Sequence, residues 1–439
     1  MRIVIRGGRL IDPAHHVDTV TDLFIAEGRI AGIGRPPDGF AVDRMIDARD
    51  RIVCPGLIDL CARLREPGQE HKATIASEAR AAAAAGITTL VCPPDTDPVI
   101  DEPSVVELIR RRSQAAGQAR VLALGALTHQ LRGERLAEMA ALEEAGCIGV
   151  SDGGRPLVNT LVLRRALEYA ATFDLTVFLT PLDPWLGHGV AHEGRVATRM
   201  GLPGIPAAAE TGILARDLEL VRDIGVRVHF GRLSCARSVD LIARAQAEGL
   251  PVTADVAMHH LHLTEVDLAG FDSQCHVRPP LRGSRDRDAL RAGLASGVLG
   301  ALCSDHQPHE PDAKQAPFGD TEPGISGLDT LLALSLRLAR DEALPLATVL
   351  ERLTYGPARI LGMDGGHLGV GAPADACIFD PEIDWRVTAD VLRSRGQNSP
   401  FLNWELQGRV THTLLAGQIV YEREDNELPH SGRSATVTV

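Results

Sequence analysis

The sequence predicts a (β/α)8 barrel of the TIM type, accompanied by a small β-domain built from both chain ends. Two observations lead to this prediction. In the middle of the chain, eight short apolar runs alternate with helical patterns at a spacing of roughly 25 to 40 residues. On either side of that region, apolar and polar residues alternate among Gly and Asp-Pro turns, which is typical of antiparallel strands.

The predicted organisation follows these patterns along the chain. Residues 1–53 and 366–423 form the composite β-domain, 54–365 form the barrel, and 424–439 form a polar, Ser/Thr-rich tail that we expect to be poorly ordered. The eight predicted barrel runs are IVCPGLIDL, TTLVCPP, RVLALGAL, CIGVSD, LTVFLTP, VRVHFGRLS, PVTADVAMHHL and GALCSDH. The segments 74–85 and 328–340 are rich in strong helix formers, and we expect helices there.

Composition excludes several classes of protein. The 439 residues carry a net charge of −13, which argues against a nucleic-acid or anionic-membrane surface. The eight cysteines form no C-x-x-C pair and several lie in apolar runs, which indicates reduced, buried thiols. No apolar run reaches membrane-spanning or signal-peptide length, so we expect a cytoplasmic protein.

Several motifs in the right order along the chain resemble those of dihydroorotases, members of the amidohydrolase superfamily. They are PGLIDLCARLREPG at 55–68, GLPGIPAAAE at 201–210, RPPLRG at 278–283, SDHQPHEP at 304–311, GISGLDT at 324–330 and NSPFLNWELQGRV at 398–410. The resemblance implies an amidohydrolase barrel whose strand carboxyl ends carry the chemistry.

The resemblance also implies a zinc site, and four of its six ligand positions are altered. Active relatives use His-x-His after strand one, an Asp or carboxylated Lys after strand four, a His after strands five and six, and an Asp after strand eight. The corresponding residues here are Cys61, Arg63, Asp152, Thr180, Arg232 and Asp305. A guanidinium has no lone pair to donate and would repel a cation. We therefore expect no metal, with Asp305 as a vestige of the catalytic residue.

Charge balance gives a more specific expectation for this altered site. Asp152 and Asp305 would face Arg63 and Arg232 in place of zinc, so the sequence predicts salt bridges between them. The only lysines are Lys72 and Lys314, and neither is near strand four, so a carboxylated lysine cannot restore the site.

The substrate side of the site is altered as well. Arg65 and His309 match the residues that hold the substrate carboxylate in relatives, but Asp95 and Arg278 each stand where the family has Asn. A carboxylate about 4 Å from the substrate carboxylate would cost roughly 4 kcal/mol at an effective dielectric constant near 20, on the order of a thousandfold in affinity.

The resemblance leads to one principal hypothesis about function. Dihydroorotase-like chains that lack the zinc ligands resemble the non-catalytic partner of aspartate carbamoyltransferase, the preceding enzyme of pyrimidine synthesis in some bacteria. By that likeness, the chain is an inactive structural subunit that binds transcarbamoylase catalytic chains and also self-associates.

Two alternatives remain open. The chain could be a cyclic-amide hydrolase with a single zinc held by Cys61, Asp152 and Asp305, since zinc accepts thiolate and carboxylate ligands. It could also be a metal-free module that binds a pyrimidine intermediate through Arg65 and His309. The three histidines of MHHLHL, at 259, 260 and 262, match a structural motif of relatives and are not expected to bind metal.

Overall fold

A computed structural model describes residues 1–424 of the chain, and the predicted tail from residue 425 onward lies outside the described residues. The strands in chain order are β1 (Arg2–Asp12), β2 (Val17–Ala26), β3 (Arg29–Ile33), β4 (Arg44–Asp47), β5 (Ile52–Pro55), β6 (Leu57–Asp59), β7 (Ile87–Cys92), β8 (Arg120–Ala123), β9 (Gly125–Ala126), β10 (Val150–Ser151), β11 (Val177–Leu179), β12 (Ala191–His192), β13 (Gly204–Ile205), β14 (Val228–Phe230), β15 (Val252–Ala257), β16 (Ala301–Cys303), β17 (Ala376–Arg386), β18 (Glu405–Leu415) and β19 (Gln418–Glu422). The helices are α1 (Ile75–Ala84), α2 (Pro103–Ala116), α3 (Met139–Glu144), α4 (Thr160–Thr172), α5 (Arg195–Met200), α6 (Ala208–Ile224), α7 (Ala236–Ala247), α8 (Ser284–Ser296), α9 (Leu331–Asp341), α10 (Leu346–Glu351) and α11 (Tyr355–Ile360).

The central barrel consists of eight parallel strands, as the sequence predicts. Their order around the barrel is β6, β7, β8 with its continuation β9, β10, β11, β14, β15 and β16. A parallel bridge between Ala62 and His306 joins the ends of the first and last strands and closes the barrel. Since the strands are parallel, the residues that follow them converge at one mouth.

The second domain is an eight-stranded sheet that draws strands from both chain ends. Its order is β19-β18-β17-β5-β1-β2-β3, with β4 paired to β1. The prediction of antiparallel structure holds for β1 to β3 and for β17 to β19. It is wrong for β4, which pairs parallel to β1. Strand β5 is parallel to β1 on one side and antiparallel to β17 on the other, so the prediction holds for one of its two pairings.

The first predicted barrel run is divided between the two domains at Gly56. Ile52–Pro55 belongs to the terminal sheet and Leu57–Asp59 to the barrel. A Cβ on Gly56 would lie 2.3 Å from the side chain of Thr88 on β7, so only glycine lets the chain pass this close to the neighbouring strand.

The two helices expected from composition are present. The first begins one residue later than predicted because Thr74 is its N-cap, with its Oγ1 accepting from the backbone of Ser77 at 3.1 Å. The second is α9, which lies at 331–341 where the sequence suggests 328–340. None of the helices in residues 1–424 is both long enough and apolar enough to cross a membrane.

Candidate functional site: an arginine-filled barrel mouth

The strand ends place the predicted site residues around one opening. Cys61, Arg63 and Arg65 follow β6, Asp95 follows β7, and Asp152 follows β10. Thr180, Arg232, Arg278, Asp305 and His309 follow later barrel strands. A cavity of about 350 Å³ is lined by Arg63, Arg65, Asp95, Thr180, Arg232, Arg278 and His309. The four residues predicted on the substrate side and three of the four predicted altered ligand positions therefore share one cavity.

Buried carboxylates fix the loops that carry these side chains. Asp59 at the end of β6 accepts from the backbone of Ser304 at 2.9 Å, and Asp255 on β15 accepts from the backbone of Arg232 at 2.6 Å. These contacts hold Arg232 and Asp305 at positive φ values of 60° and 45°, which non-glycine residues adopt at an energetic cost. Sequence patterns did not single out Asp59 or Asp255, because each reads as an ordinary polar residue at the end of a strand.

Asp305 is the centre of the site. Its Oδ1 accepts from Arg232 Nη1 at 3.1 Å and from Arg63 Nη1 at 3.3 Å, and its side chain is 1% exposed. Burial alone would raise the pKa of Asp305, but the charges of Arg232 and Arg63 outweigh it and hold the pKa below the ordinary value. Asp305 is therefore a carboxylate neutralised by two guanidinium groups, and the predicted salt bridges are confirmed there.

The salt bridge predicted for Asp152 is not formed. Its two oxygens accept from the backbone amides of Gly154 at 2.8 Å and Thr180 at 3.0 Å, and the described residues form no ion pair with it. Burial raises the pKa of Asp152 to about 6. The prediction was wrong because the strand end turns the carboxylate toward the adjacent loop, where amides satisfy it without a full counter-charge.

Asp95 has a partner that the sequence did not indicate. Arg63 Nε donates to Asp95 Oδ2 at 2.6 Å, with both side chains largely buried. Arg63 thus pairs with two of the carboxylates that the sequence singled out, Asp95 and Asp305. The repulsion of roughly 4 kcal/mol between Asp95 and a substrate carboxylate was calculated for an unpaired Asp95. It is consequently an upper limit, since Arg63 compensates much of the charge of Asp95.

Cys61 is a protonated thiol in this setting. Burial raises the pKa of the Cys61 thiol, and its Sγ lies 3.6 Å from Asp305 Oδ1 as a weak donor. All eight cysteines of the chain are buried and free, as expected from their apolar surroundings.

The donor set at the mouth does not fit the zinc of active relatives. The guanidinium groups of Arg63 and Arg232 both contact Asp305 Oδ1, so a cation bound by this carboxylate would lie beside two positive charges. A Cβ on Gly154 would lie 3.4 Å from Arg232 Nη2 and 3.6 Å from Arg63 Nη2, so both cations fill the space beneath this loop. Within residues 1–424, no group of three or more His, Cys, Asp or Glu side chains is placed to hold a metal ion. The single-zinc arrangement of Cys61, Asp152 and Asp305 therefore lacks usable geometry.

The histidines near the mouth make structural contacts. His260 Nε2 lies 3.3 Å from the carbonyl of Pro280 and His262 Nε2 lies 3.0 Å from that of Leu334. Burial lowers the pKa of His259 to about 4, so it stays neutral. His309 is also neutral, because burial and the charges of Arg65 and Lys72 lower its pKa to about 2.

Comparison with known proteins agrees with this architecture. The Dihydro-orotase-like family matches residues 50–238, and the Amidohydrolase family matches residues 190–420. A dihydroorotase-like protein of Pseudomonas aeruginosa is 50% identical over 96% of this chain and 100% of its own length. A dihydroorotase of Geobacter sp. is 42% identical over 96% of this chain and 100% of its own length.

Among solved structures, L-hydantoinase from Arthrobacter aurescens superimposes with a TM-score of 0.86 at 23% identity, covering 96% of both chains. That likeness concerns the fold, a barrel combined with a β-domain. Taken with the relatives above, the matched families and the barrel-mouth positions show that this chain belongs to the dihydroorotase-like group of the amidohydrolase family.

Proposed function

We propose that the chain is a catalytically silent dihydroorotase homologue that serves as a structural subunit for aspartate carbamoyltransferase in pyrimidine synthesis. The ion-pair network of Asp305 with Arg63 and Arg232 is the main support for the first part of this proposal, that the chain is catalytically silent. In it, the carboxylate at the position of the catalytic residue is committed to two permanent cations.

This network opposes catalysis in two ways. A zinc-bound hydroxide needs a divalent ion at the mouth, and two guanidinium groups within 3.3 Å of Asp305 would repel that ion. A general base must also accept a proton near neutral pH. The lowered pKa of Asp305 makes it a weak base there, because Arg232 and Arg63 stabilise its charged form against the opposing effect of burial.

The assembly half of the proposal rests on the family likeness and is supported by an exposed apolar surface beside the barrel mouth. Val158, Leu182 and Pro184 line a groove of about 680 Å³. Next to it, Trp185 is 73% exposed and Leu186 is 47% exposed. Exposed large apolar side chains that cluster around a groove are typical of protein-binding surfaces. We propose this groove as the contact with the transcarbamoylase.

The first experiment measures metal content and turnover of the purified protein. We expect substoichiometric zinc by elemental analysis, and no interconversion of dihydroorotate and carbamoyl aspartate. Stoichiometric zinc together with turnover would overturn the proposal of a silent homologue.

The second experiment tests assembly. The tagged chain is co-expressed with the aspartate carbamoyltransferase of the same organism, and we expect a stable complex by affinity capture and gel filtration. Trp185→Glu should weaken that complex, whereas Val20→Glu, at a residue that is 70% exposed on β2 of the other domain, is the matched control and should not. No complex with the unmodified chain would contradict the assembly role.

A further inference from the structure

The groove proposed as the transcarbamoylase contact, here termed the docking groove, has a positively charged rim. Three loops that follow successive barrel strands form it, at 131–134, 154–159 and 182–188. Arg132, Arg155 and Arg278 line the groove, and among the described residues of its wall only Glu134 is acidic. The wall therefore carries a local excess of positive charge in a chain whose net charge is −13.

Two of these arginines are available to a partner. The side chains of Arg132 and Arg155 are exposed, and neither forms a hydrogen bond or ion pair within residues 1–424. Glu134 is exposed as well and forms no ion pair in the same range. Positive charge also continues inward, since the mouth cavity behind the groove is lined by five arginines and two acidic residues. This region attracts a negatively charged group that approaches the groove.

The loop that carries the exposed Trp185 and Leu186 is held in place from two sides. Asp183 Oδ1 accepts from the backbone amides of both residues, at 2.8 and 2.9 Å. From the opposite side, Arg278 donates to the carbonyl of Gly187. A carbonyl has no formal charge, so Arg278 remains an uncompensated cation in the wall. The apolar side chains thus lie on an ordered loop, and a partner binds them without the entropic cost of ordering it.

We infer that the docking groove binds an acidic segment of the partner protein, in which carboxylates flank an apolar side chain. The apolar side chain packs against Val158, Leu182 and Trp185. The carboxylates pair with Arg132 and Arg155 at the rim. Guanidinium groups bind carboxylates through two parallel hydrogen bonds, and complementary charge speeds association and gives specificity. This inference rests on the proposed function, because it names the chemistry of the surface that the transcarbamoylase presents.

The apolar centre of the groove favours a protein segment over a small anion. Trp185 and Leu186 are exposed on one side of it, and Val158, which is 52% exposed, lies on another. These side chains offer an inorganic anion no hydrogen bond, whereas clustered apolar side chains with an aromatic anchor are typical of protein contacts. A basic partner segment is disfavoured, because it would face Arg132 and Arg155.

Charge variants of the full-length chain test the inference, with affinity for the co-expressed aspartate carbamoyltransferase measured by biolayer interferometry. The double variant Arg132→Glu with Arg155→Glu should weaken the complex by about tenfold or more, since two attractions become repulsions. Glu134→Arg should tighten it by about threefold, since a repulsion becomes an attraction. Arg244→Glu, at an exposed arginine on α7 away from the mouth, is the matched control and should bind as the unmodified chain does.

The opposite signs of these effects separate charge from structure. A merely structural role predicts that substitutions on either side of the rim weaken the complex, and circular dichroism confirms that each variant is folded. Added salt should weaken the complex of the unmodified chain more than that of the double variant, because salt screens exposed charges. A complex whose affinity is unchanged in the double variant would overturn the inference and leave the assembly role intact.

A synthetic probe decides the case in which the unmodified chain forms no complex with the transcarbamoylase, so that the assembly role fails. The probe is the labelled peptide Glu-Asp-Leu-Phe-Glu-Asp, compared with Lys-Lys-Leu-Phe-Lys-Lys by fluorescence anisotropy. We expect the acidic peptide to bind at least about tenfold more tightly, and the double variant to lose this preference. Equal binding of the two peptides, or no binding of the acidic one, would then overturn the inference as well.

Discussion

Replacing Arg232 with leucine should destabilise the protein by about 3 kcal/mol at neutral pH, because it leaves a buried carboxylate with half of its compensation. At 3.1 Å and an effective dielectric constant near 20, the attraction between Arg232 and Asp305 is roughly 5 kcal/mol. The expected loss of stability is smaller than this attraction for two reasons. The variant no longer has to bury a guanidinium group, and Asp305 keeps its contact with Arg63 at 3.3 Å.

Urea denaturation followed by circular dichroism measures this loss. The double variant Arg232→Leu with Asp305→Asn should recover most of the stability, since an amide has no charge to leave unpaired. Arg222→Leu is the matched control: Arg222 also contacts two carboxylates, those of Glu219 and Glu248, but on the surface, and its loss should barely move the midpoint. If the double variant is as unstable as Arg232→Leu alone, packing and not charge explains the effect.

The same reasoning fixes the pH dependence. In the unmodified chain the folded-state pKa of Asp305 lies below its ordinary value of 3.8, so its ion pairs stabilise the fold above that value and are lost as pH falls through the folded pKa. In Arg232→Leu we expect burial to dominate and the pKa of Asp305 to rise. The deficit of the variant should therefore shrink as pH is lowered, and a deficit that stays constant from pH 7 to pH 4 would refute this account.

Three further predictions concern other parts of the molecule. Burial raises the folded pKa of Asp152 from 3.8 to about 6, so its protonated form favours folding, and this contribution is lost as pH rises through that range. Relative to the unmodified chain, Asp152→Asn should therefore gain about 2 kcal/mol of unfolding free energy between pH 4 and pH 7. Urea denaturation at each pH measures this difference, and no change would contradict the shift. Histidines placed at 61, 63, 180 and 232 should not restore substantial dihydroorotate turnover while Asp95 and Arg278 remain, even if elemental analysis finds zinc; full activity would mean that these two residues do not impair the substrate pocket. Gly56→Ala should lower the thermal midpoint, because its Cβ would lie 2.3 Å from the side chain of Thr88. Gly212→Ala on helix α6 is the matched control, because a Cβ there meets nothing within 4 Å. It should raise the free energy of unfolding by about 0.5 to 1 kcal/mol.

The residues at strand ends show how far sequence reasoning reaches. The eight apolar runs and the family motifs placed Cys61, Arg63, Asp152, Thr180, Arg232 and Asp305 at one mouth, and the structure brings them there. The pairing of Asp305 with both arginines followed from the family resemblance together with charge balance. The pairing of Arg63 with Asp95 did not, because it depends on how far a long side chain extends across the cavity toward the next strand.

Arg155 is a second residue whose place at the barrel mouth the sequence did not reveal. It follows Asp152 by three residues, and nothing in its local pattern distinguishes it from a solvated surface charge. Only the closed barrel brings it to the same cavity as Arg65 and Arg278. The excess of positive charge at the mouth is thus a property of the assembled strand ends.

The sequence by itself determined the barrel and the contribution of both chain ends to the second domain, because hydrophobic periodicity is a local property. The tertiary structure decided which carboxylate neutralises which cation. Asp305 points at two guanidinium groups while Asp152 turns to backbone amides, and this difference arises from the direction of each strand end in a packed barrel. Direction and distance across the mouth are set by contacts between residues far apart in the chain, so local sequence patterns do not reveal them.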